Sequence, residues 1–554
     1  MRLQTNTPVD ALRQFIQNLT EIWPLPGGII TISSFKNGMI TLPFGYADVE
    51  RGLPVTPQHL FMIGSISKSF VGLMIALLAH EQMLSLDSPV TDYLPWLVLP
   101  AGPSVTIRHL LHHTAGLIKG ADALPDEIAQ MLAVRDTTAA AKLGTFFHYS
   151  NLGYIILGHV IRAVTGQSLE VFCEQSLLQP LMLRQTRIGI TNADRAFLAK
   201  GYIPFRDDHP WAPGDAIAPA PWLEVNGADG NIAMTAADLG RFAQMVAESG
   251  VVEGQALIPA AVMTAIQTDL APAGEDPCPF LEAEPGATSL YGLGINVETA
   301  NNRICLTHGG GMVGYSSFLL ADRTEKCAVT VLTNAPGESG LAQLIARVAH
   351  ALFTDPAKAS AMIAAATHPP DLPKSATGLM LCTMRDDAGP VAPHCFSLIP
   401  DATGMTLHAD DITARLYRSW DGRYVTDHPK MRDFHLSWSA DGWIYGGSLY
   451  SPTTHKPAAM ALAEAHPFSG QYRCYSPWFS RFRILRRGKI FYLIAPGGVE
   501  APAADMELVS IAPGIFRIGK DERLPERLIM GAIIADQLQE LSRDGCAYSR
   551  AFMK

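Results

Sequence analysis

The sequence predicts an α+β N-terminal region followed by an all-β C-terminal region, and three observations carry that prediction. Strand-like runs stand at both ends of the first 355 residues, at Gly28–Gly45 and Tyr291–Thr333, and enclose a stretch from about 60 to 270 where helical periodicity dominates. A proline-rich segment, Thr367–Lys374, then separates this from a C-terminal part of short alternating strands punctuated by Asp-Gly and Gly turns. With 554 residues, 48% hydrophobic and 17% charged, the chain has the composition of a compact multidomain protein and not of a disordered one.

Val9–Glu21 has a helical pattern, and the strands of Gly28–Gly45 meet at Lys36-Asn37-Gly38, a hairpin signal. Helices are predicted at Ser67–Gln82, Ile107–His112, Leu152–Thr165, Ala236–Glu248 and Pro259–Thr268. Strands return at Tyr291–Val297, Ser316–Ala321 and Ala328–Thr333, with Asp322–Lys326 as a turn, before a last helix at Leu341–Phe353. The predicted organisation is a first domain over 1–360, an extended linker over 361–375, a β domain over 376–460 and a second β domain over 461–554, opening at His466–Tyr472.

The 42 Lys and Arg against 52 Asp and Glu give a net charge of −10, which supplies no general attraction to nucleic acid or anionic membranes. The cluster Arg481, Arg483, Arg486, Arg487 and Lys489 alternates with apolar residues and reads as a solvated hairpin face before a nucleic-acid surface. Trp420, Trp438, Trp443 and Trp478 read as barrel core. Eight scattered cysteines without a C-x-x-C pair suit free thiols in a reducing compartment. The N-terminus lacks the continuous apolar run of a signal peptide, and the longest apolar run, Phe70–Ala79, is half the length a bilayer requires. Together these predict a cytoplasmic protein without a membrane or nucleic-acid partner, and leave homo-oligomerisation open.

Gly64-Ser65-Ile66-Ser67-Lys68 immediately precedes that apolar run, which places Ser65 at the start of a buried helix and Lys68 one turn later on the same face. A helix N-terminus favours negative charge on a serine oxygen, and burial favours a neutral amine able to accept its proton. A second S-x-x-K, Ser33–Lys36, runs into the hairpin and has no such context. Tyr149-Ser150-Asn151 begins another helix, where the tyrosine can relay a proton and the asparagine amide can hold a carbonyl. His308, Gly310 and Gly311 come from Thr307-His-Gly-Gly-Gly311 just before a predicted strand, offering a polar ring and close backbone approach. Gly309–Gly314 also fits G-x-G-x-x-G, but a strand follows it and a helix does not, against dinucleotide binding. Neither a metal nor another cofactor is predicted: His80-Glu81 lacks a second histidine four residues on.

The ordered set Ser65-x-x-Lys68, Tyr149-x-Asn151 and His308-x-Gly310 resembles the three motifs of the serine β-lactamase and penicillin-binding-protein superfamily, specifically its class C-like branch of esterases and D-aminopeptidases. Leu84–Pro95, Ile107–Leu117 and Gly230–Leu239 are similar to supporting segments of the same family, and the resemblance spans about residues 8–355. It implies a β-lactamase-like domain, an antiparallel sheet flanked by helices plus an all-α subdomain, and, by architecture alone, lipocalin-like barrels in the C-terminal region. His308 stands where many β-lactamases carry lysine, which disfavours a dedicated β-lactamase. The resemblance assigns Ser65, Lys68, Tyr149 and His308 to catalysis and Asn151, Gly310 and Gly311 to substrate binding. The expected function is an acyl-enzyme serine hydrolase, a D-aminopeptidase-like peptidase or amidase on short peptides or small amides. The alternatives are an esterase or acyltransferase of the same superfamily, or a non-catalytic penicillin-binding-like receptor.

Overall fold

The computed structural model describes residues 7–551 apart from 24, 35–37, 122–123, 125, 278–285, 336–339, 368–372, 385–392, 402–403, 420, 455–465 and 500–501. Helix α1 (Pro8–Ile22) starts at a capping box, the Thr7 hydroxyl accepting from the Asp10 N–H while the Asp10 carboxylate reaches back to Thr7. Strands β1 (Gly27–Ser34) and β2 (Gly38–Asp48) form the predicted hairpin, with Lys36 and Asn37 at its tip outside the described residues. After β3 (Leu53–Pro54) the chain enters the helical insert, which contains α2 (Ser67–His80), α3 (Asn151–Thr165) and α4 (Ala236–Ala247). It returns through β4 (Thr288–Tyr291), β5 (Asn296–Ala300), β6 (Arg303–Met312), β7 (Tyr315–Asp322) and β8 (Cys327–Thr333) to α5 (Gly340–Thr354) and α6 (Pro356–Thr367). The eight strands form one sheet in the order β4-β5-β6-β7-β8-β1-β2-β3.

Three sequence expectations change here. Tyr291–Val297 is not one strand but the end of β4 and the start of β5, separated where Gly294 takes φ +86 and passes so close to α2 that a side chain would meet the Lys68 carbonyl. His308 lies within β6 and not ahead of a strand; the glycine run 309–311 conceals a ladder that pairs three residues before it and four after it with β7. The segment taken as an extended linker from 361 is helical as far as Thr367, because its alanines are the best helix formers and the prolines come only afterwards.

Both faces of the sheet are covered, which is why β1, β7 and β8 are buried almost throughout. Ile30, Ile32, Phe318, Leu320, Val329 and Val331 face α1 and α5. The alternate residues Ile29, Leu319 and Leu332 face the insert, where Thr31 and Ser33 hydroxyls donate to the Ala236 and Gly240 carbonyls of α4. Pleating therefore sends Leu306, His308 and Gly310 toward α2, and Arg303 and Cys305 to the opposite side.

The C-terminal part forms two closed antiparallel barrels of eight strands, running from Gly378–Met384 to Ser448–Pro452 and from Gly470–Arg473 to Cys546–Arg550. Trp443 fills the first, its indole N–H donating to the Ala376 carbonyl at 2.8 Å, and Trp438 packs against that core. Trp478 is instead 39% exposed, and Trp420 lies outside the described residues. The arginine cluster is not the solvated face expected: Arg481 and Arg473 pair with Asp207 of the first domain, Arg483 with Asp433 of the first barrel, and Arg487 with Asp505 beside the Tyr492 ring. Arg473, Arg481 and Arg483 thus tie the second barrel to the other two units, while Arg487 takes a carboxylate of its own barrel and Lys489 is exposed.

Candidate active site

Ser65 sits in the 3-10 turn Gly64–Ile66 that leads into α2. Gly64 has φ +53, and any Cβ there would lie 2.8 Å from the Gly311 backbone, so glycine at this position lets the turn press against β6. Helix α2 is apolar nearly all round and buried from Ser67 to Ala76, which carries Lys68 into the interior with no exposed surface. Its Nζ donates to Ser65 Oγ at 3.0 Å and to the Asp229 carbonyl at 2.8 Å. The same Nζ also lies 5.0 Å and 5.7 Å from the ring centroids of Tyr149 and Tyr154.

At the start of α3 the capping is done by Ser150, whose hydroxyl accepts from the Gly153 N–H and donates to the Ile118 carbonyl. That leaves the flanking side chains of Tyr149 and Asn151 for other work. The Tyr149 ring stacks on His113 at 4.4 Å between centroids, and the His113 Nδ1 accepts the Ser150 N–H, so the histidine fixes both the ring and the cap. Burial drives the Tyr149 phenol well above its ordinary pKa, and the neighbouring Ser65 offsets this only in part. The Tyr149 hydroxyl and Asn151 Oδ1 are buried without a hydrogen-bond partner among the described residues. The Tyr149 hydroxyl borders Ser65, where a ligand's polar group would satisfy it.

From β6, Gly310 packs against the serine turn: an added Cβ would fall 2.0 Å from the Ile63 carbonyl oxygen and 2.3 Å from Ser317 Oγ. His308 is buried 6.4 Å from the Tyr149 ring. Its Nδ1 is 2.6 Å from the Gly309 carbonyl, which can only accept, so Nδ1 carries the proton and Nε2 accepts from the Tyr291 hydroxyl at 2.9 Å. Burial brings the His308 pKa down to about 3, which keeps the ring neutral. With both nitrogens engaged, it anchors Tyr291 and β6 and does not itself present a charge to a substrate.

Behind Tyr149 lies a buried charge cluster that no sequence motif signalled. His148 Nε2 lies 2.8 Å from Glu526 of the second barrel, and its Nδ1 lies 3.0 Å from Glu275. Glu526 also accepts the Lys119 N–H at 2.9 Å, and Glu275 accepts the Tyr149 N–H at 3.2 Å. Burial alone would favour neutral His148, but the two carboxylates outweigh it and raise its pKa to about 9. On the same barrel loop the Arg523 guanidinium sits 3.9 Å from the Phe146 ring centroid, so that the loop covers the strip 146–148 next to the site.

The fold thus assembles Ser65, Lys68, Tyr149, Asn151, His308, Gly310 and Gly311 in one place, and adds His113, Asp229 and Tyr291, which sequence reading left unassigned. Of these His113 lay inside a recognised segment, Ile107–Leu117; Asp229 acts through its carbonyl, which no side-chain pattern can reveal. The competing Ser33 is elsewhere, buried on β1 against α4. Among the described residues no group of three or more His, Cys, Asp or Glu side chains is placed to hold a metal, and no helix is long and apolar enough to cross a membrane.

The family model described as Beta-lactamase matches residues 16–353. The chain belongs to the beta-lactamase family. Among solved structures, the octameric penicillin-binding protein homologue from Pyrococcus abyssi superposes with a TM-score of 0.58 at 25% identity, covering 77% of this chain and 95% of that one. The D-amino acid amidase from Ochrobactrum anthropi SV3 superposes with a TM-score of 0.53 at 20% identity, covering 64% and 99%. Among curated relatives, the teichoic acid D-alanine hydrolase of Staphylococcus aureus is 28% identical over 176 residues, 31% of this chain and 44% of that protein. The match spans less than half the length of the curated relatives.

Proposed function

We propose that the protein is a serine hydrolase that forms an acyl-enzyme on Ser65, acting on small D-aminoacyl amides or short peptides. The observation that carries this is the 3.0 Å contact of buried Lys68 with Ser65 Oγ beside the unpartnered Tyr149 hydroxyl. Ser65 Oγ bonds to the substrate carbonyl carbon as its proton passes to Lys68 Nζ, and the backbone N–H groups of Ser65 and Gly311 receive the oxyanion. Because burial holds Tyr149 in its neutral form, Lys68 is the resting base and Tyr149 the route by which the proton reaches the leaving nitrogen as the C–N bond breaks. Water then adds to the ester, and collapse returns Ser65. Asn151 holds the substrate's amide, and His308 keeps β6 and Tyr291 in register.

Two relatives with D-amino acid chemistry in their names support the D-aminoacyl class. The covering barrel loop supports small substrates over proteins. The ester reading uses the same nucleophile and oxyanion hole, so the test is a paired one. A fluorophosphonate should give one covalent adduct by intact mass, absent in Ser65→Ala, and turnover should favour D- over L-aminoacyl amides and amides over short-chain esters of the same acyl group. Faster ester turnover moves the assignment to esterase; an adduct that persists in Ser65→Ala removes Ser65. A homo-oligomer, as described for the archaeal relative, is read by light scattering of the same sample.

A further inference from the structure

The Tyr149 hydroxyl is buried beside Ser65 without a hydrogen-bond partner among the described residues, so the direction in which it points rests on what packs against its ring. His113 stacks on that ring with centroids 4.4 Å apart and planes 27° from parallel, whereas the rings of Tyr291 and His308 stand 6.4 Å away. Dispersion falls steeply with separation, which makes the His113 face the ring contact that fixes the plane of the phenol.

The same histidine holds the backbone on both sides of that ring. It follows the short helix Ile107–Leu111 with φ +55, a left-handed conformation uncommon outside glycine and kept only where the surroundings impose it. In this conformation its carbonyl accepts the His148 N–H at 2.9 Å while its Nδ1 accepts the Ser150 N–H at 2.9 Å. Residues 148 and 150 are thus tied to one side chain whose face lies on the residue between them. His113 is itself immobilised, 2% exposed and packed 4.7, 4.9 and 5.6 Å from the rings of Tyr291, Tyr154 and Phe147. Burial keeps it neutral, as an accepting Nδ1 requires, and Nε2 is buried without a partner among the described residues. Its work is therefore done by Nδ1, its carbonyl and its ring face.

We infer that His113 is the positioning residue for proton delivery to the leaving nitrogen: by clamping 148 and 150 and stacking on 149 it aims the Tyr149 hydroxyl. Amide turnover should then depend on it far more than turnover of activated esters, whose leaving groups need no proton. The inference rests on Tyr149 as the proton carrier. The test is a double-mutant cycle on the D-aminoacyl amide turned over fastest and on the nitrophenyl ester of the same acyl group. His113→Asn keeps an acceptor for the Ser150 N–H and removes the ring; His113→Phe keeps a ring on Tyr149 and removes the acceptor. His113→Asn should lower kcat for the amide at least about tenfold with KM within about twofold, while kcat/KM for the ester falls less than about threefold and Ser65 still takes the fluorophosphonate. His113→Phe should show the same pattern with a smaller loss on the amide, of about threefold or more, and it decides the matter if His113→Asn does not fold. In the Tyr149→Phe background neither change should cost more than about a further twofold. Equal losses on amide and ester, or an undiminished loss in the Tyr149→Phe background, would make His113 a general support of the fold and overturn the inference while leaving Tyr149 its role. Full amide turnover in Tyr149→Phe would remove Tyr149 as the carrier and the inference with it.

Discussion

Replacing Glu526 with Gln tests whether the second barrel is energetically part of the site. The amide keeps an acceptor for the Lys119 N–H and the His148 ring but removes a charge. His148 is lifted from 6.5 to about 9 against the pull of burial, roughly 3 kcal/mol of preference for the protonated ring. The Glu275 hydrogen bond is the largest raising cause, but Glu275 is 41% exposed and Glu526 only 11%, so solvent screens the former more and the buried barrel carboxylate holds a substantial share. The variant should therefore lower the His148 pKa by about one unit or more and weaken the docked state near neutral pH by about 1–2 kcal/mol. The sign is set by the raised pKa: this stabilisation is complete below pH 6.5 and is lost as pH rises through about 9. Wild type should lose its advantage over Glu526→Gln in that alkaline window, and above it the unpaired buried carboxylate should favour the variant. Carbon-13 histidine NMR, with His148→Gln to assign the resonance, reads the pKa, and urea unfolding at pH 6.5 and pH 10 reads the difference. A His148 pKa that stays near 9 in Glu526→Gln would refute the coupling.

Lys68→Met should lower kcat by about 10²–10⁴ while leaving the buried helix packed, since only the proton acceptor is removed; steady-state kinetics on the preferred amide checks it. Tyr149→Phe should reduce acylation of amides more than of activated esters, whose leaving groups need no proton, and a pre-steady-state burst comparison separates the two. Gly310→Ala should destabilise the protein by about 1–3 kcal/mol or more and abolish adduct formation, because the methyl would enter the space of the Ile63 carbonyl; thermal unfolding and intact mass report both. Asp207→Ala should free Arg473 and Arg481 and increase tryptic cleavage in the barrel junction before the first domain is cut.

How far the sequence speaks depends on whether a feature is local. Ser65 and Lys68 were legible because a hydroxyl and an amine one turn apart before a ten-residue apolar run define a buried helix start without further context. Tyr149 and Asn151 were legible as a helix start; which residue caps it was not, since serine and asparagine do so equally well and Ser150 was settled by the Ile118 carbonyl. The strand carrying His308 is hidden by a glycine run whose reason is tertiary: Gly310 admits the Ile63 carbonyl and Gly311 lies against the serine turn at Gly64. The arginine cluster was misread for the same kind of reason, because its partners Asp207, Asp433 and Asp505 are remote in sequence. Glu526 is the limiting case, a single acidic residue in a barrel loop whose meaning appears only on docking.

That docking bears on why a hydrolase should carry two barrels. A nucleophile beside a neutral buried phenol needs a low-dielectric site, because water at Tyr149 would screen Lys68 and satisfy the hydroxyl and amide now unpaired. Without the barrel loop the strip 146–148, with its His148–Glu275 pair beside Tyr149, loses the cover that Arg523 and Glu526 give it. Glu526 pairs with the His148 ring while Arg523 covers Phe146, and on the other side of the ring Glu275 of the first domain takes the Tyr149 N–H. The pairs of Asp207 with Arg473 and Arg481 tie the same barrel to the first domain at a second point. On this reasoning substrate size and the protonation of the machinery are set by the same contact, and a change that lifts the barrel should relax both together.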